Sequence, residues 1–343
     1  MTNEFEQRKK DHIRLALSDQ TQNLVANSFS KIKLTHNPLP EMKFNDVSLQ
    51  THLLNHTFSS PHFIASMTAG HQDSKQINLK LAVAAQEKNW LMAVGSQRLE
   101  LTDTNAVNEW KEIRKIAPDA KLVSNIGILE VIQHPVENII QLTENLNAIG
   151  IYIHLNPLQE VFQKNNNIDF TNGLKSIEAL VKKIKIPVLV KEVGFGISAV
   201  VVKKLIDIGV HSVDISGNGG THWGYIEALR QEENSIQKNA ISAFADWGSS
   251  TIDCLLDCQQ FTLFHPIMAS GGIRSGVDSA KCLALGARAV GIAQPLMKAA
   301  LISGQELETV MDLFDYQLKV AMFCSGIKKP EDYLHKKVWQ CLT

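Results

Sequence analysis

Several things are missing from this chain of 343 residues, and each absence closes a class of function. No apolar run approaches the roughly 18 residues that a bilayer-spanning helix needs. Basic and acidic residues balance at 34 against 35, so there is no excess positive charge for a general nucleic-acid surface. The cysteines are few, odd in number and scattered, at Cys254, Cys258, Cys282, Cys324 and Cys341, which excludes a disulfide framework and reads as reduced thiols. Cys254 and Cys258 stand four apart but lack the second pair or nearby histidines of a zinc site. The first residues are charged rather than apolar, so no leader peptide is expected and the expected address is the cytoplasm. Low-complexity segments, linkers and internal repeats are lacking too. No Gly-x-Gly-x-x-Gly follows the first strand, which counts against a doubly wound dinucleotide-binding sheet.

What the chain does have is 44% hydrophobic content in short, regularly spaced runs. Eight of them read as strands: Phe63–Ala65, Leu91–Val94, Leu122–Ser124, Ile151–Leu155, Val188–Val190, Val213–Ile215, Ile267–Ala269 and Ala289–Ile292. Between them lie stretches with helical period, such as 77–85 and 174–184, closed by Gly150, Gly209 and Gly286 before the next run. The gap between the sixth and seventh runs is wider and holds two extra helices across residues 222–260. Strand then helix eight times over predicts an α/β fold, a (β/α)8 TIM barrel. Residues 61–343 would form the barrel. Residues 1–60 would form an extension that packs on it, with a charged helix over Asn3–Ser18 and a hairpin of Phe44–Val47 and Thr57–Ser59 under the barrel.

In such a barrel the chemistry gathers at the C-terminal ends of the strands. Polar residues cluster there junction by junction: Ser66-Met67-Thr68-Ala69-Gly70, Gly95-Ser96-Gln97-Arg98, Asn125-Ile126-Gly127, Lys191-Glu192, Ser216–Thr221, Ser270–Arg274 and Ala293-Gln294. The densest is Ile151–Glu160, an apolar strand that ends in His154, Asn156, Gln159 and Glu160. Burying an unpaired amide or carboxylate costs about 1–3 kcal/mol, so such a group normally faces a ligand or a metal. Ser270-Gly271-Gly272 is expected to open a helix running to about Leu285, whose amides and dipole suit a phosphate, with Gly291–Gln294 as a second wall. Lys191 at the end of a buried strand calls for an anion or an electron-rich ring. Its neighbour Glu192 should point to the opposite face and not pair with it.

These segments, with Arg8-Lys9-Lys10-Asp11-His12-Ile13 and Asp214-Ile-Ser216-Gly-x-Gly-Gly-Thr221, resemble type 2 isopentenyl diphosphate isomerases over nearly the whole chain. The most specific parts are the N-terminal Arg-Lys-x-x-His-Ile and the His-x-Asn-Pro-x-Gln-Glu segment. The resemblance implies FMN bound by Ser66, Met67, Thr68, Ser96, Asn125, Lys191, Ser216, Thr221, Gly271, Gly272, Arg274, Ala293 and Gln294. It implies that Arg8, Lys9, Ser96, Arg98, His154, Asn156 and Gln159 hold the substrate, isopentenyl diphosphate, and that Glu160 holds Mg2+ on the diphosphate. Gln159, His154 and Lys191 would stand nearest the chemistry. Reduced FMN would supply acid–base groups, NADPH would reduce it beforehand, and the chain would act as a tetramer or octamer, with no nucleic acid and no membrane. Two positions depart from the family pattern: Ala69 stands where a glycine is common, and Gln294 where an arginine is common. Two other readings remain open, an FMN-dependent 2-hydroxy acid oxidase and a flavin-binding barrel without catalysis.

Overall fold

The computed structural model describes residues 2–22, 28–67, 72–163 and 168–342, apart from the side chains of residues 2–7, 9, 72, 73 and 104. In chain order the elements begin with α1 (Thr2–Ala16), β1 (Ile32–Leu34), β2 (Thr51–Leu53) and β3 (His56–Phe58). The barrel repeat then runs β4 (His62–Ile64), α2 (Gln72–Glu87), β5 (Leu91–Ala93), α3 (Val107–Ile116), β6 (Leu122–Gly127), α4 (Ile128–Gln133), α5 (Val136–Leu146) and β7 (Gly150–His154). It continues through α6 (Pro157–Phe162), α7 (Gly173–Lys183), β8 (Val188–Lys191), α8 (Ala199–Asp207), β9 (Ser212–Asp214), α9 (Trp223–Leu229), α10 (Ile236–Ala240) and α11 (Thr251–Asp257). The last elements are β10 (Ile267–Ala269), α12 (Gly276–Ala284), β11 (Ala289–Ile292), α13 (Gln294–Ile302), α14 (Gly304–Cys324) and β12 (Trp339–Cys341).

Strands β4 to β11 form one closed, all-parallel barrel, with β11 pairing back onto β4. All eight expected strands are there. The extra pair between the sixth and seventh strands is α9 and α10, with α11 as the ordinary crossover helix.

Two-residue alternation sorts the strand side chains into two layers. Ile64, Met92, Leu122, Ile151, Ile153, Val188, Val190, Val213 and Ile292 join the outer core beneath the helices. Phe63, Leu91, Ala93, Val123, Tyr152, Leu189, Met268 and Ala289 fill the barrel interior. Leu53, Leu54 and Phe58 belong to that inner cluster, so the β2–β3 hairpin plugs the lower end. The hairpin was expected from Phe44–Val47, but Phe44–Asp46 forms a 3-10 turn and the first strand is Thr51–Leu53. Thr51–Leu53 alternates buried and exposed, and Leu54 and Asn55 supply the positive φ that a tight two-residue turn requires.

Near the same end, Asp315 of α14 binds a buried polar knot. It accepts hydrogen bonds from Ser60 Oγ at 2.6 Å and Trp90 Nε1 at 3.2 Å and lies 2.8 Å from His62 Nδ1. Polar groups tied together in this way at the N-terminal face of a barrel serve stability rather than chemistry.

A contact that the sequence reading did not anticipate joins the chain's ends: β1 pairs antiparallel with β12, Ile32 opposite Cys341. At the other end of the barrel, α1 lies on α9. Leu15, Ala16 and Ile226 form its apolar seam, and His12 meets Trp223 edge to face at 5.3 Å.

Candidate active site

Strand register sets the site. Gly127 of β6 lies opposite His154 of β7, His154 opposite Lys191 of β8, and Lys191 opposite Asp214 of β9. His154 and Lys191 stand two residues beyond the interior-layer residues Tyr152 and Leu189 and therefore point inward at the C-terminal rim. Above Phe63 and Tyr152 the rim opens into a cavity of about 1580 Å3, its open mouth included.

Lys191 is buried, and its Nζ donates to the Glu192 carbonyl at 3.2 Å. Burial lowers its pKa, while the charges of Asp214 and Glu192 act in the opposite sense. The Glu192 carboxylate is spent elsewhere. Its Oε2 accepts the N–H groups of Val193, Gly194 and Phe195 at 2.6, 2.7 and 2.6 Å, and burial still pushes the group up to about 7. Asp214, which the sequence reading assigned no role, anchors this side. It accepts from Ser270 Oγ at 2.9 and 3.0 Å and from the Ser216 N–H at 3.1 Å.

The glycine-rich wall differs from expectation. Ser270-Gly271-Gly272 does not open a helix. Ser275 caps α12, which begins at Gly276, because the Ser275 hydroxyl accepts the Asp278 N–H and the Asp278 carboxylate takes the Arg274 N–H. Gly271 and Gly272 instead adopt φ of +100° and +74°, a conformation that L side chains rarely take. A Cβ at Gly271 would come within 2.0 Å of the Gly217 carbonyl, so the two loops meet backbone to backbone. The helix that presents its N-terminus to the cavity is α13, directly after β11, with Ala293 and Gln294 in the wall. Gln294 Nε2 donates to the Ala16 carbonyl at 3.0 Å, and Arg274 donates to Gln22 Oε1 at 3.2 Å. Both therefore tie the segment after α1 to the rim.

The opposite quadrant is the charged one. His154 Nδ1 lies 3.0 Å from Asn125 Oδ1, and Arg98 forms an ion pair with Glu130, Nε to Oε1 2.9 Å. Asn156 Nδ2 donates to Glu160 Oε1 at 2.8 Å and to Gln159 Oε1 at 3.2 Å, and Gln163 also donates to Glu160 at 3.1 Å. Burial raises the Glu160 pKa, the Asn156 hydrogen bond opposes it, nearby Glu130 adds to it, and Arg98 and Arg8 counter it. Arg8 comes from α1 and donates to Gln163 Oε1 at 3.1 Å. Glu227 of α9 is the hub: it lies 2.8 Å from His12 Nε2, accepts Arg230 at 2.7 Å and accepts Gln159 Nε2 at 3.3 Å. Burial pushes Glu227 up, but the His12 hydrogen bond and the charges of His12, Arg230 and Arg8 outweigh it and hold the group at about 2.

Ser66, Met67, Ser96, Thr221 and Ser216 also line the cavity, so all but two of the residues expected at the site surround one space. The exceptions are Thr68, outside the described residues with Ala69, and Lys9, whose side chain is not described. Three acids went unassigned in the sequence: Glu130, Asp214 and Glu227. Glu130 and Glu227 carried a readable sign, each being a lone carboxylate inside an otherwise apolar helical stretch, Ile128–Ile132 and Trp223–Leu229.

Comparison with known proteins agrees with this geometry. The FMN-dependent dehydrogenase family profile matches residues 153–340. Among solved structures, a lactate oxidase from Pediococcus acidilactici superimposes with a TM-score of 0.68 at 16% identity, covering 100% of this chain and 94% of that one. A mandelate oxidase gives 0.66 at 17%, covering 98% of each, and these two likenesses establish the barrel alone. The sequence relatives are nearer. The isopentenyl-diphosphate delta-isomerase of Bdellovibrio bacteriovorus is 43% identical over 98% of both chains, and that of Legionella pneumophila 42% identical over 97% of both. The enzyme of that name from Oceanobacillus iheyensis is 38% identical over 95% of this chain and 93% of its own. The chain therefore belongs to the isopentenyl-diphosphate delta-isomerase family and is an enzyme of that type, built on the barrel of the FMN-dependent dehydrogenases.

Proposed function

We propose that the protein interconverts isopentenyl diphosphate and dimethylallyl diphosphate, with reduced FMN in the barrel mouth and Mg2+ on the diphosphate. The observation that carries this reading is the charged quadrant, where Arg8, Arg98, His154 and two amides gather around the buried carboxylate Glu160. Among the described residues no group of three His, Cys, Asp or Glu could hold a metal alone. Mg2+ is commonly bound through one or two carboxylates plus substrate phosphates, so one carboxylate facing a diphosphate pocket suits it.

The rest of the cavity fits FMN. Ser66 Oγ is buried without a hydrogen-bond partner, and no hydrogen bond within the described residues takes the N–H of Gly271 or Gly272. Those groups, with the start of α13, provide donors for a phosphate, while Asn125, Ser216 and Thr221 offer polar atoms along the wall. When bound, reduced FMN supplies acid–base groups that move protons on an unactivated alkene, for which side-chain acids are poorly matched. Lys191, in the cavity wall, would set its positive charge near the reduced ring. Arg8, Lys9 and Arg98 would neutralise the diphosphate, His154 and Asn156 would donate to it, and Gln159 lies beside them in the cavity wall. Hydride to prime the flavin would come from visiting NADPH. The family resemblance supports a homo-oligomer, tetramer or octamer, working in the cytoplasm.

The testing experiment incubates purified protein with isopentenyl diphosphate, FMN, Mg2+ and NADPH. Dimethylallyl diphosphate forming while only a priming amount of NADPH is oxidised is the expected result. Flavin reduction by 2-hydroxy acids without isomer would transfer the protein to the oxidase reading. Lys191→Ala is expected to lose about tenfold in FMN affinity, the scale for removing one charge-assisted contact from a buried site, read from flavin absorbance after gel filtration. A variant that keeps its full flavin complement would remove Lys191 from the ring.

A further inference from the structure

The charged quadrant contains a carboxylate of the wrong sign for a diphosphate site. Glu130 is buried at 6% exposure, close enough to Glu160 for the two charges to repel. An acid there opposes an anionic ligand and requires a compensating reason. The geometry gives one. Arg98 follows β5 on a short 3-10 turn, Arg98–Leu101, and its side chain is 41% exposed, so nothing in its own element fixes the guanidinium. Glu130 reaches across from α4 and forms an ion pair with that guanidinium, its Oε1 2.9 Å from Arg98 Nε. With the carboxylate paired at its Nε side, the guanidinium keeps its terminal N–H groups available to form a forked pair with phosphate oxygens.

The backbone makes room for this arrangement. Gly127 caps α4 and lies opposite His154 across the β6–β7 ladder. A Cβ at Gly127 would stand 2.3 Å from Glu130 Oε2 and 3.1 Å from His154 Nε2. The missing side chain is therefore the gap through which Glu130 reaches the rim beside His154.

We propose that Glu130 is a positioning residue for substrate binding: it fixes Arg98 so that the guanidinium meets the diphosphate in one orientation. This rests on the reading of the quadrant as a diphosphate site. Preorganisation of this kind lowers the ordering cost of binding, so its removal shows in affinity even though a negative charge has been taken from an anion site. Without the positioning role, Glu130→Gln should bind diphosphate more tightly, because repulsion is relieved. The expected sign is thus opposite to that of simple electrostatics.

The test measures binding of inorganic diphosphate with Mg2+ to the flavin-loaded protein by calorimetry, for wild type, Glu130→Gln, Arg98→Ala and the double variant. Weakening of about tenfold in Glu130→Gln, little further loss when it is added to Arg98→Ala, and a rise mainly in KM rather than a fall in kcat are expected. Equal or tighter binding in Glu130→Gln, or losses that add independently of Arg98, would overturn the inference. Glu130→Asp, which keeps the charge on a shorter stem, should recover part of the affinity if the contact itself matters, and no recovery would count against it. The isomerase reading fails separately: wild type that binds diphosphate yet yields no dimethylallyl diphosphate removes the reaction and leaves the Arg98 coupling to be judged on binding alone.

Discussion

Glu160→Gln is expected to retain FMN and the fold while activity falls by about 10²-fold or more and its response to added Mg2+ disappears. The substitution keeps the shape and the hydrogen bonds within reach. Asn156 and Gln163 both donate to Oε1, which a glutamine oxygen can still accept. What is lost is the negative charge, at a site where burial already makes that charge costly and where Arg98 and Arg8 favour it. A carboxylate maintained under those conditions is explained by a cation that arrives with the ligand. The measurement is isomer formation against Mg2+ concentration, together with the flavin content of the purified variant. Unchanged activity with an unchanged Mg2+ titration would show that the metal sits elsewhere. Loss of flavin alongside activity would show that Glu160 supports the cavity rather than the metal.

Much of this site was legible in the sequence because barrel strands obey a short rule. Side chains alternate with a period of two, so an apolar strand ending in polar residues reveals which of them face inward. That rule places Asn125, His154 and Lys191 at the rim. It also separates Lys191 from Glu192, whose carboxylate is occupied by three backbone N–H groups. The hairpin boundaries and the start of α12 were not legible. Both depend on local choices, the turn at Leu54-Asn55 and the capping pair Ser275 and Asp278, that compete with equally plausible neighbours. Glu227 and Glu130 stood out only as lone acids in apolar stretches, and their roles were not legible for a different reason. Each sits on a helix, and its partners, His12 or Arg98, are distant in sequence, so no spacing rule could join them. Only the closed barrel and the docking of α1 on α9 bring those charges together.

Glu227→Gln is expected to undock α1 and thereby remove much of the substrate site without touching the flavin wall. Glu227 is fully buried and joins His12 of α1, Arg230 of its own helix and Gln159 of α6. Breaking a buried ion pair by neutralising one partner costs about 3–5 kcal/mol, because the remaining charges stay buried without compensation. What is left to hold α1 is a small apolar seam, Leu15, Ala16 and Ile226 with Trp223 and Leu229 beside it, together with Ile13 on the main core, the 3.5 Å Asp11–Arg230 ion pair and the Gln294 bond to Ala16. A loss on that scale therefore shifts the helix toward the undocked state. Arg8 and Lys9 would leave with it. KM for isopentenyl diphosphate should then rise by about 10²-fold, and proteolysis of the first helix should accelerate, while bound FMN remains. The pH dependence has a definite sign. Glu227 is held at about 2, below the usual carboxylate value, so its contribution is complete above the unfolded value and is lost as pH falls through about 2. Between pH 5 and 8 the titration of Glu227 itself should therefore leave the wild-type docking unchanged, and its contribution should be lost only in acid. In Glu227→Gln that acid-dependent step is gone, because the helix is already undocked at neutral pH. A variant whose α1 stays protected from protease at neutral pH and whose KM is unchanged would mean that His12 and Arg230 hold the helix without Glu227.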